Sequence, residues 1–304
     1  EAGFGRVMRY NSQTRKYYYE KEYLDAEKRG CFHPDRLAEY GKKIYMITQA
    51  IRKTEGIKMV FSQFIKAGCV PIALALEEMG YKRYVSKSHR QKRRDKDLLG
   101  SRTGAALGKG EKQKYYVMIT GDKEHSPNRL EEINAVTADN NVGGEMVDVV
   151  ILSRAGSEGL DFSNVRQLHI ADPWYNLNRI DQIIGRAIRK MSHCRLPFAA
   201  RNVELLLYAT ELDSEEGGEG GEVEEAADLY LYRFAEAKSK KIGVVTRILK
   251  ENSVDCAFNK YVIGESVVKP ITLASNPGQT IMVDLKDKAN SLLCDYMECE
   301  YQCM

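Results

Sequence analysis

"VDVVILSRAGSEGLDF", residues 147 to 162, begins as a short apolar run rich in β-branched side chains and passes directly into a turn of Ser, Ala and Gly. An apolar run of that length, bounded by turn residues, reads as a buried strand. The small side chains after it stand where a backbone must approach a ligand closely. Three other runs repeat the first half of the pattern: "IKMVFSQF" (57 to 64), "YYVMIT" (115 to 120) and "RQLHIAD" (166 to 172). Helical spacing lies between and before them. "AGCVPIALALEEMGY" (67 to 81) reads as a helix stopped at Gly80, and Leu37, Tyr40, Ile44, Ile47 and Ile51 recur three or four residues apart. Strands alternating with helices predict an α/β fold, with a mostly parallel sheet covered on both faces in three layers. Such sheets place their ligands beyond the carboxyl ends of the strands.

Downstream of that turn, "QIIGRAIR" (182 to 189) puts Gln182, Arg186 and Arg189 on one side of a helix at i, i+4 and i+7, with Gly185 among them. Two arginines on a helix usually mean only a solvated face, so the context has to decide. Exposed amides in the 153–162 turn, with the Ser153 hydroxyl, suit phosphate oxygens. Asp161 is placed for a sugar hydroxyl or a neighbouring arginine. Guanidinium forks are the side chains that best stabilise charge spreading over a transferred phosphoryl group, and lysine is a poorer substitute.

The ordered pair S-R-A-G-S-E-G-L-D-F and Q-I-I-G-R-A-I-R resembles motifs V and VI of superfamily-2 helicases, and "MVFSQF" (59 to 64) resembles their motif IV. "RQLHIADPWYNLNRIDQIIGRAIRKMSHCRLP" (166 to 197) and "LKENSVDCAFN" (249 to 259) are similar to helicases of nucleocytoplasmic large DNA viruses, the poxvirus-type nucleoside triphosphatases among them. The likeness spans roughly residues 40 to 300.

The resemblance implies a RecA-like second lobe, whose partner lobe in the same polypeptide binds most of the ATP and Mg2+. By position, Arg186 and Arg189 are then finger residues reaching ATP across a cleft, and Gln182 senses the nucleotide. Gly159, Asp161 and Gly185 belong to the nucleotide side. Ser62, Thr120 and Gly121 of the "TGD" turn, Ser153 and Arg154 would touch the backbone of RNA or DNA. The resemblance further implies a viral setting (host cytoplasm, viral factory or virion, with the nucleus open) and viral transcription machinery as a partner class.

The departures from the family pattern are equally specific. The chain has no G-x-x-x-x-G-K-[ST], because "GAALGKG" (104 to 110) is one residue short between its glycines, and Gly110 stands where Ser or Thr would bind magnesium. It has no D-E-x-[DH] either. The isolated chain is therefore expected not to hydrolyse ATP. Two alternatives stay open: a non-catalytic nucleic-acid-binding or scaffolding lobe, and a duplex-DNA translocase acting in viral transcription without strand unwinding.

With 304 residues, 43% hydrophobic and 29% charged, the chain has ordinary globular composition, and a net charge of +3 leaves any nucleic-acid contact to local patches. No apolar run reaches the roughly 18 residues of a membrane span, and the opening lacks a signal-peptide core. Seven cysteines, an odd number, point to reduced thiols inside a cell. The first residue is Glu, which fits a chain that begins within something larger.

The expected organisation is a helical lead-in over 1–55, the lobe over 56–212 with an insertion at 82–114, an acidic linker over 213–227 and a helical appendage with a Cys-rich end over 228–304. The run from Lys82 to Lys96 holds eight Lys or Arg against one Asp, suiting a phosphate backbone, an import signal or plain solvation. Cys294, Cys299 and Cys303 are close enough to share a zinc ion, with Cys256 as a candidate fourth ligand, but no metal is assigned. His193 reads as a packing residue. Trp174 and Tyr175 suit packing between loop and helix at least as well as base stacking.

Overall fold

The computed structural model describes residues 3–85, 97–103, 112–157, 159–211, 225–258, 268–273, 276–284, 288–300 and 302–304. Most of the basic run, the "GAALGKG" stretch and most of the acidic linker lie outside the described residues. The chain divides into two compact units, residues 1–173 with 181–213, and residues 174–180 with 214–304.

The first unit is built on six parallel strands. In chain order they are β3 (Ile57–Phe61), β4 (Lys82–Arg83), β5 (Tyr115–Ile119), β6 (Val149–Leu152), β7 (Val165–Ile170) and β8 (Glu204–Leu207), arranged β4-β5-β6-β3-β7-β8 across the sheet. Alternation along each central strand feeds two cores. Val60, Tyr116, Met118, Val149 and Ile151 pack on one face with helices α1 (Lys42–Lys53) and α2 (Val70–Glu78). Met59, Phe61, Val117, Ile119, Val150 and Leu152 pack on the other, with α3 (Arg129–Thr137) and α4 (Leu177–Ala187). This is the three-layer, RecA-like αβα arrangement that the sequence implied.

Two strands escape the sequence reading. Lys82 and Arg83, taken as the start of an insertion, pair with Tyr115 and Tyr116 as an edge strand. Glu204–Leu207 closes the opposite edge beside β7. Part of the insertion is also built into the fold. The buried Glu77 carboxylate accepts the amides of Leu98 and Leu99, each at 2.7 Å, and the Tyr116 hydroxyl at 2.6 Å. Its neighbour Glu78 accepts the Thr103 amide and hydroxyl. Burial pushes the Glu77 carboxyl up to about 8.

The lead-in is not purely helical. Before α1 it forms an antiparallel hairpin of β1 (Met8–Asn11) and β2 (Lys16–Tyr19). Tyr17 is buried, its ring against Phe4, and its main chain bonds Leu98 and Gly100. The Tyr-rich 16–19 stretch therefore serves period-two packing rather than a helix face.

On β7, beside the edge strand β8, His169 is buried between Tyr208 (2.9 Å) and Gln167 (3.0 Å). Burial, with the Lys58 charge nearby, pushes its imidazole down to about 3. Between that value and 6.5, the value of an unperturbed imidazole, the unfolded chain binds a proton here that the folded chain does not. This contribution to stability is intact at neutral pH and is lost as pH falls below 6.5. His169→Gln should flatten the fall in melting temperature between pH 7 and 5, and an unchanged slope would assign that fall to other groups.

In the second unit α5 (Ala227–Glu251) supplies the expected helix, but the rest departs from an all-helical appendage. An antiparallel hairpin of β9 (Val268–Leu273) and β10 (Asn276–Asp284) follows, then a loop-rich end. The expectation of uniformly reduced thiols is also corrected, since Cys256 pairs with Cys303 and Cys294 with Cys299 as disulfides. The Arg247 guanidinium donates to the carbonyls of Cys294, Glu298 and Glu300, on both sides of the Cys294–Cys299 link. Cys31, Cys69 and Cys194 are free. Among the described residues no helix is long and apolar enough to cross a membrane.

Candidate functional site

Because β3, β5, β6 and β7 are parallel, the turns that follow them share one edge of the sheet. Ser62, Thr120, Ser153 and Asp172 all stand at that edge. The Ser62 hydroxyl is buried and donates to Asp172 at 2.5 Å, and Asp172 also accepts the Gln63 amide. In this conformation Ser62 ties the end of β3 to the end of β7 instead of offering a free hydroxyl. Asp172 was missed in the sequence, although its position between a strand and Pro173 marks a strand end.

Ser153 behaves similarly. It is buried, and its hydroxyl accepts the Gly156 amide at 3.3 Å, capping the one-turn helix Arg154–Ser157. Thr120 bonds Asp122 through both the Asp122 carbonyl and amide. Gly121 and Arg154 are exposed. Glycine is required where these turns meet: a Cβ on Gly121 would lie 2.4 Å from that of Ala155, and one on Gly156 would lie 1.9 Å from the Ile119 carbonyl oxygen. The two turns are thus packed backbone to backbone. Beside them opens a cleft of about 570 Å3, lined by Thr120, Gly121, Lys123, Ser126, Asn128 and Arg129.

Supports for the 120–125 turn come from the amino-terminal hairpin, which the sequence did not connect to it. Tyr10 donates to Glu124 at 2.6 Å, the Tyr17 hydroxyl meets His125 at 3.3 Å, and His125 meets Asp122 at 2.6 Å. Asp122, Glu124 and His125 lie close enough together to hold a metal ion, but each is already engaged by these neighbours.

Beyond the one-turn helix, Gly159 adopts a left-handed backbone (φ +73°), a conformation glycine adopts without a Cβ penalty, and the chain leads on to Asp161. Asp161 reaches both predicted finger residues: Arg189 at 2.6 Å and Arg186 at 3.6 Å. Backbone bonds fix this meeting, with the Phe162 amide on the Arg186 carbonyl and the Asn164 amide on the Ser192 carbonyl. Arg186 also donates to the Leu160 carbonyl, and Arg189 to that of Gly185. Gln182 is exposed on the same helix, and a Cβ on Gly185 would meet nothing within 4 Å.

The structure therefore brings Gly159, Asp161, Gly185, Arg186 and Arg189 together near the amino end of β7, with Gln182 exposed on the same helix as Arg186, and places Thr120, Gly121 and Arg154 at the carboxyl edge of the sheet. His193 lies in neither group; its ring is held by Ser192 and by the Val165 carbonyl at 2.6 Å, as a packing residue is. Trp174 stacks on Tyr175 and under Arg179.

Electrostatically the arginine pair is loosely held. Asp161 is 49% exposed and Arg189 51%, and ion pairs that open to water stabilise by about 1 kcal/mol or less. Arg186, at 25% exposure, is more enclosed.

Comparison with known proteins bears on these features directly. Residues 106–191 match the helicase conserved C-terminal domain. A protein of Acanthamoeba polyphaga mimivirus named as an ATP-dependent RNA helicase is 31% identical over 199 residues, 62% of this chain and 16% of that protein. Helicase 087L of Invertebrate iridescent virus 3 is 26% identical over 82% of this chain and 22% of its own length. A termination factor NPH-I homolog of African swine fever virus is 27% identical over 71% of this chain and 33% of its own. The chain thus spans between about a sixth and a third of these relatives. Among solved structures, the C-terminal part of the Fun30 ATPase domain gives a TM-score of 0.41 at 16% identity, over 67% of this chain and 47% of that one. The sheet order, the motif turns and the matched segment agree: this chain carries a superfamily-2 helicase C-terminal domain, similar to those of helicases from nucleocytoplasmic large DNA viruses.

Proposed function

We propose that this chain is the second lobe of an ATP-driven nucleic-acid motor, supplying arginines to a nucleotide held by a facing lobe. The observation that carries the reading is the bracket of Arg186 and Arg189 around a half-exposed Asp161 in the loop between β6 and β7. Bound ATP would supply the phosphoryl group. This chain's own part is to place two guanidinium forks where charge grows on its oxygens, with no proton to move. The donor set fits phosphate and not magnesium: Asp161 is paired to the arginines, and no D-E-x-[DH] carboxylates accompany it. Mg2+ is therefore assigned to the facing lobe.

Thr120, Gly121 and Arg154 form the face for the nucleic-acid backbone, with Ser62 and Ser153 holding its turns in shape. One relative is named as an RNA helicase, which supports RNA as the track, with duplex DNA as the alternative that the test below separates. The test is ATP hydrolysis by the full-length polypeptide and by the isolated chain, each with single-stranded RNA and with duplex DNA. Turnover confined to the full-length form and stimulated by one nucleic acid is the expected result. Turnover by the isolated chain overturns the two-lobe reading, and absence of turnover throughout favours a binding or scaffolding lobe.

A further inference from the structure

The turn after β5 reads T-G-D-K-E-H from 120 to 125, so two acids follow directly on residues assigned to a phosphate backbone. Asp122 lines the same cleft as Thr120 and Gly121 and is partly exposed, and Glu124 is exposed. Protein binds phosphate largely through charge, so a carboxylate left to swing in that cleft repels the ligand.

Each acid is tied to a group outside the turn or to one held from outside it. Tyr10 on β1 donates to Glu124 at 2.6 Å. Asp122 meets His125 Nδ1 at 2.6 Å, and because a carboxylate only accepts, Nδ1 carries the hydrogen. In the neutral ring Nε2 is then the acceptor for the Tyr17 hydroxyl at 3.3 Å. The His125 hydrogen bond holds the Asp122 carboxyl below the usual carboxylate range, so its charge persists and has to be steered.

The anchors belong to other elements. Tyr17 on β2 is buried, packs its ring against Phe4 and Tyr10, and is bonded through its main chain to Leu98 and Gly100. His125 is also buried, and its carbonyl accepts from Arg83 at 2.6 Å. Arg83, on the edge strand β4, pairs in turn with Glu132 of α3 at 3.0 Å. The Ser126 hydroxyl donates to the Met118 carbonyl on β5. Hairpin, edge strand and helix thus converge on His125.

We propose that the β1–β2 hairpin is a brace that holds the Asp122 and Glu124 carboxylates clear of the nucleic-acid backbone, with Tyr10 and His125 as its positioning residues. This role rests on the reading of Thr120, Gly121 and Arg154 as the nucleic-acid face.

The test uses the full-length polypeptide with single-stranded RNA and with duplex DNA. It reads the nucleic-acid concentration that gives half-maximal ATPase stimulation, kcat at saturation and the melting temperature. Tyr10→Phe is expected to raise the half-saturating concentration about threefold to tenfold, the size of one lost hydrogen bond, with kcat at saturation unchanged. Added salt should shrink that ratio, because a repelling charge is screened. Glu124→Gln in the same chain should return the value to that of wild type, since no carboxylate is then left to restrain. Lost packing would be neither screened by salt nor rescued by removing a charge. A Tyr10→Phe effect that persists in the double variant overturns the proposal. Glu124→Gln alone should bind at least as tightly as wild type, and weaker binding overturns the proposal even where Tyr10→Phe folds poorly. Arg154→Ala separates the brace from the reading beneath it. If Arg154→Ala weakens binding and Tyr10→Phe does not, the brace falls and the face stands; if neither weakens it, both fall.

Discussion

Alanine at Arg189 in the full-length polypeptide is expected to slow nucleic-acid-stimulated ATP hydrolysis by about a thousandfold or more, with ATP affinity far less changed. The asymmetry follows from where the guanidinium acts. A finger contributes when charge spreads over the transferred oxygens, so its loss falls on the chemical step and not on ground-state binding. A thousandfold loss corresponds to about 4 kcal/mol of transition-state stabilisation. The Asp161–Arg189 contact that must be given up is half open to water and is worth about 1 kcal/mol or less, so the net gain is large. Lysine at 189 should restore only a small part, since a point charge lacks the planar fork. Single-turnover hydrolysis, with nucleotide affinity measured alongside, separates the two effects. Equal turnover in wild type and variant would return Arg189 to the status of a solvated helix residue.

The largest effect on folding is expected within the sheet. Lys58, in the middle strand β3, is fully buried and donates to Asp148 at 2.7 Å, with Tyr81 donating to the other carboxylate oxygen at 2.9 Å. Removing the lysine alone, as Lys58→Ala, strands a buried carboxylate and opens a cavity, and should destabilise the sheet-bearing unit by about 3–5 kcal/mol. Burial already lowers the Lys58 ammonium's affinity for its proton, against the pull of Asp148. The pair therefore satisfies its members more than it adds stability. The double variant Lys58→Met with Asp148→Asn keeps an acceptor for Tyr81 and removes both charges, and should recover most of the loss. Denaturant unfolding followed by circular dichroism distinguishes the cases. A single variant within 1 kcal/mol of wild type would mean that water reaches the site.

Much of the fold was legible because its signals are local. The runs at 57–64, 115–120, 147–153 and 166–172 became the four central strands, since continuous apolar sequence is what a parallel sheet covered on both faces demands. The two edge strands were not legible. Lys82 and Arg83 form only two residues of strand inside a charged stretch, and Glu204–Leu207 is mostly exposed, so neither shows the buried-run signature. The amino-terminal hairpin was hidden because Tyr17, Tyr18 and Tyr19 carry no obvious alternation until Tyr17 is seen to face the core.

The candidate site divides the same way. Gln182 and Arg186 share a helix, so their common side follows from spacing alone, but Arg189, read as a third member, lies two residues beyond the end of that helix and joins Arg186 through Asp161. The contact of Asp161 with both arginines was named in the sequence only as one choice between a sugar and an arginine. It depends on the Gly159 turn and on the backbone bonds of Phe162 and Asn164. The burial of Ser62 and Ser153 was illegible, because a hydroxyl that caps its own turn and one that meets a ligand have the same one-letter code. Asp172, Tyr10 and His125 join the site edge only through contacts distant in sequence.

The most direct measurement is the structure of the full-length polypeptide with ADP and aluminium fluoride, read for the distance from the Arg186 and Arg189 guanidinium nitrogens to the fluoride group. The arrangement at Asp161 predicts that at least one fork leaves the carboxylate and lies about 3 Å from the group mimicking the transferred phosphoryl. Both arginines still paired to Asp161, with the nucleotide bound out of their reach, would contradict it.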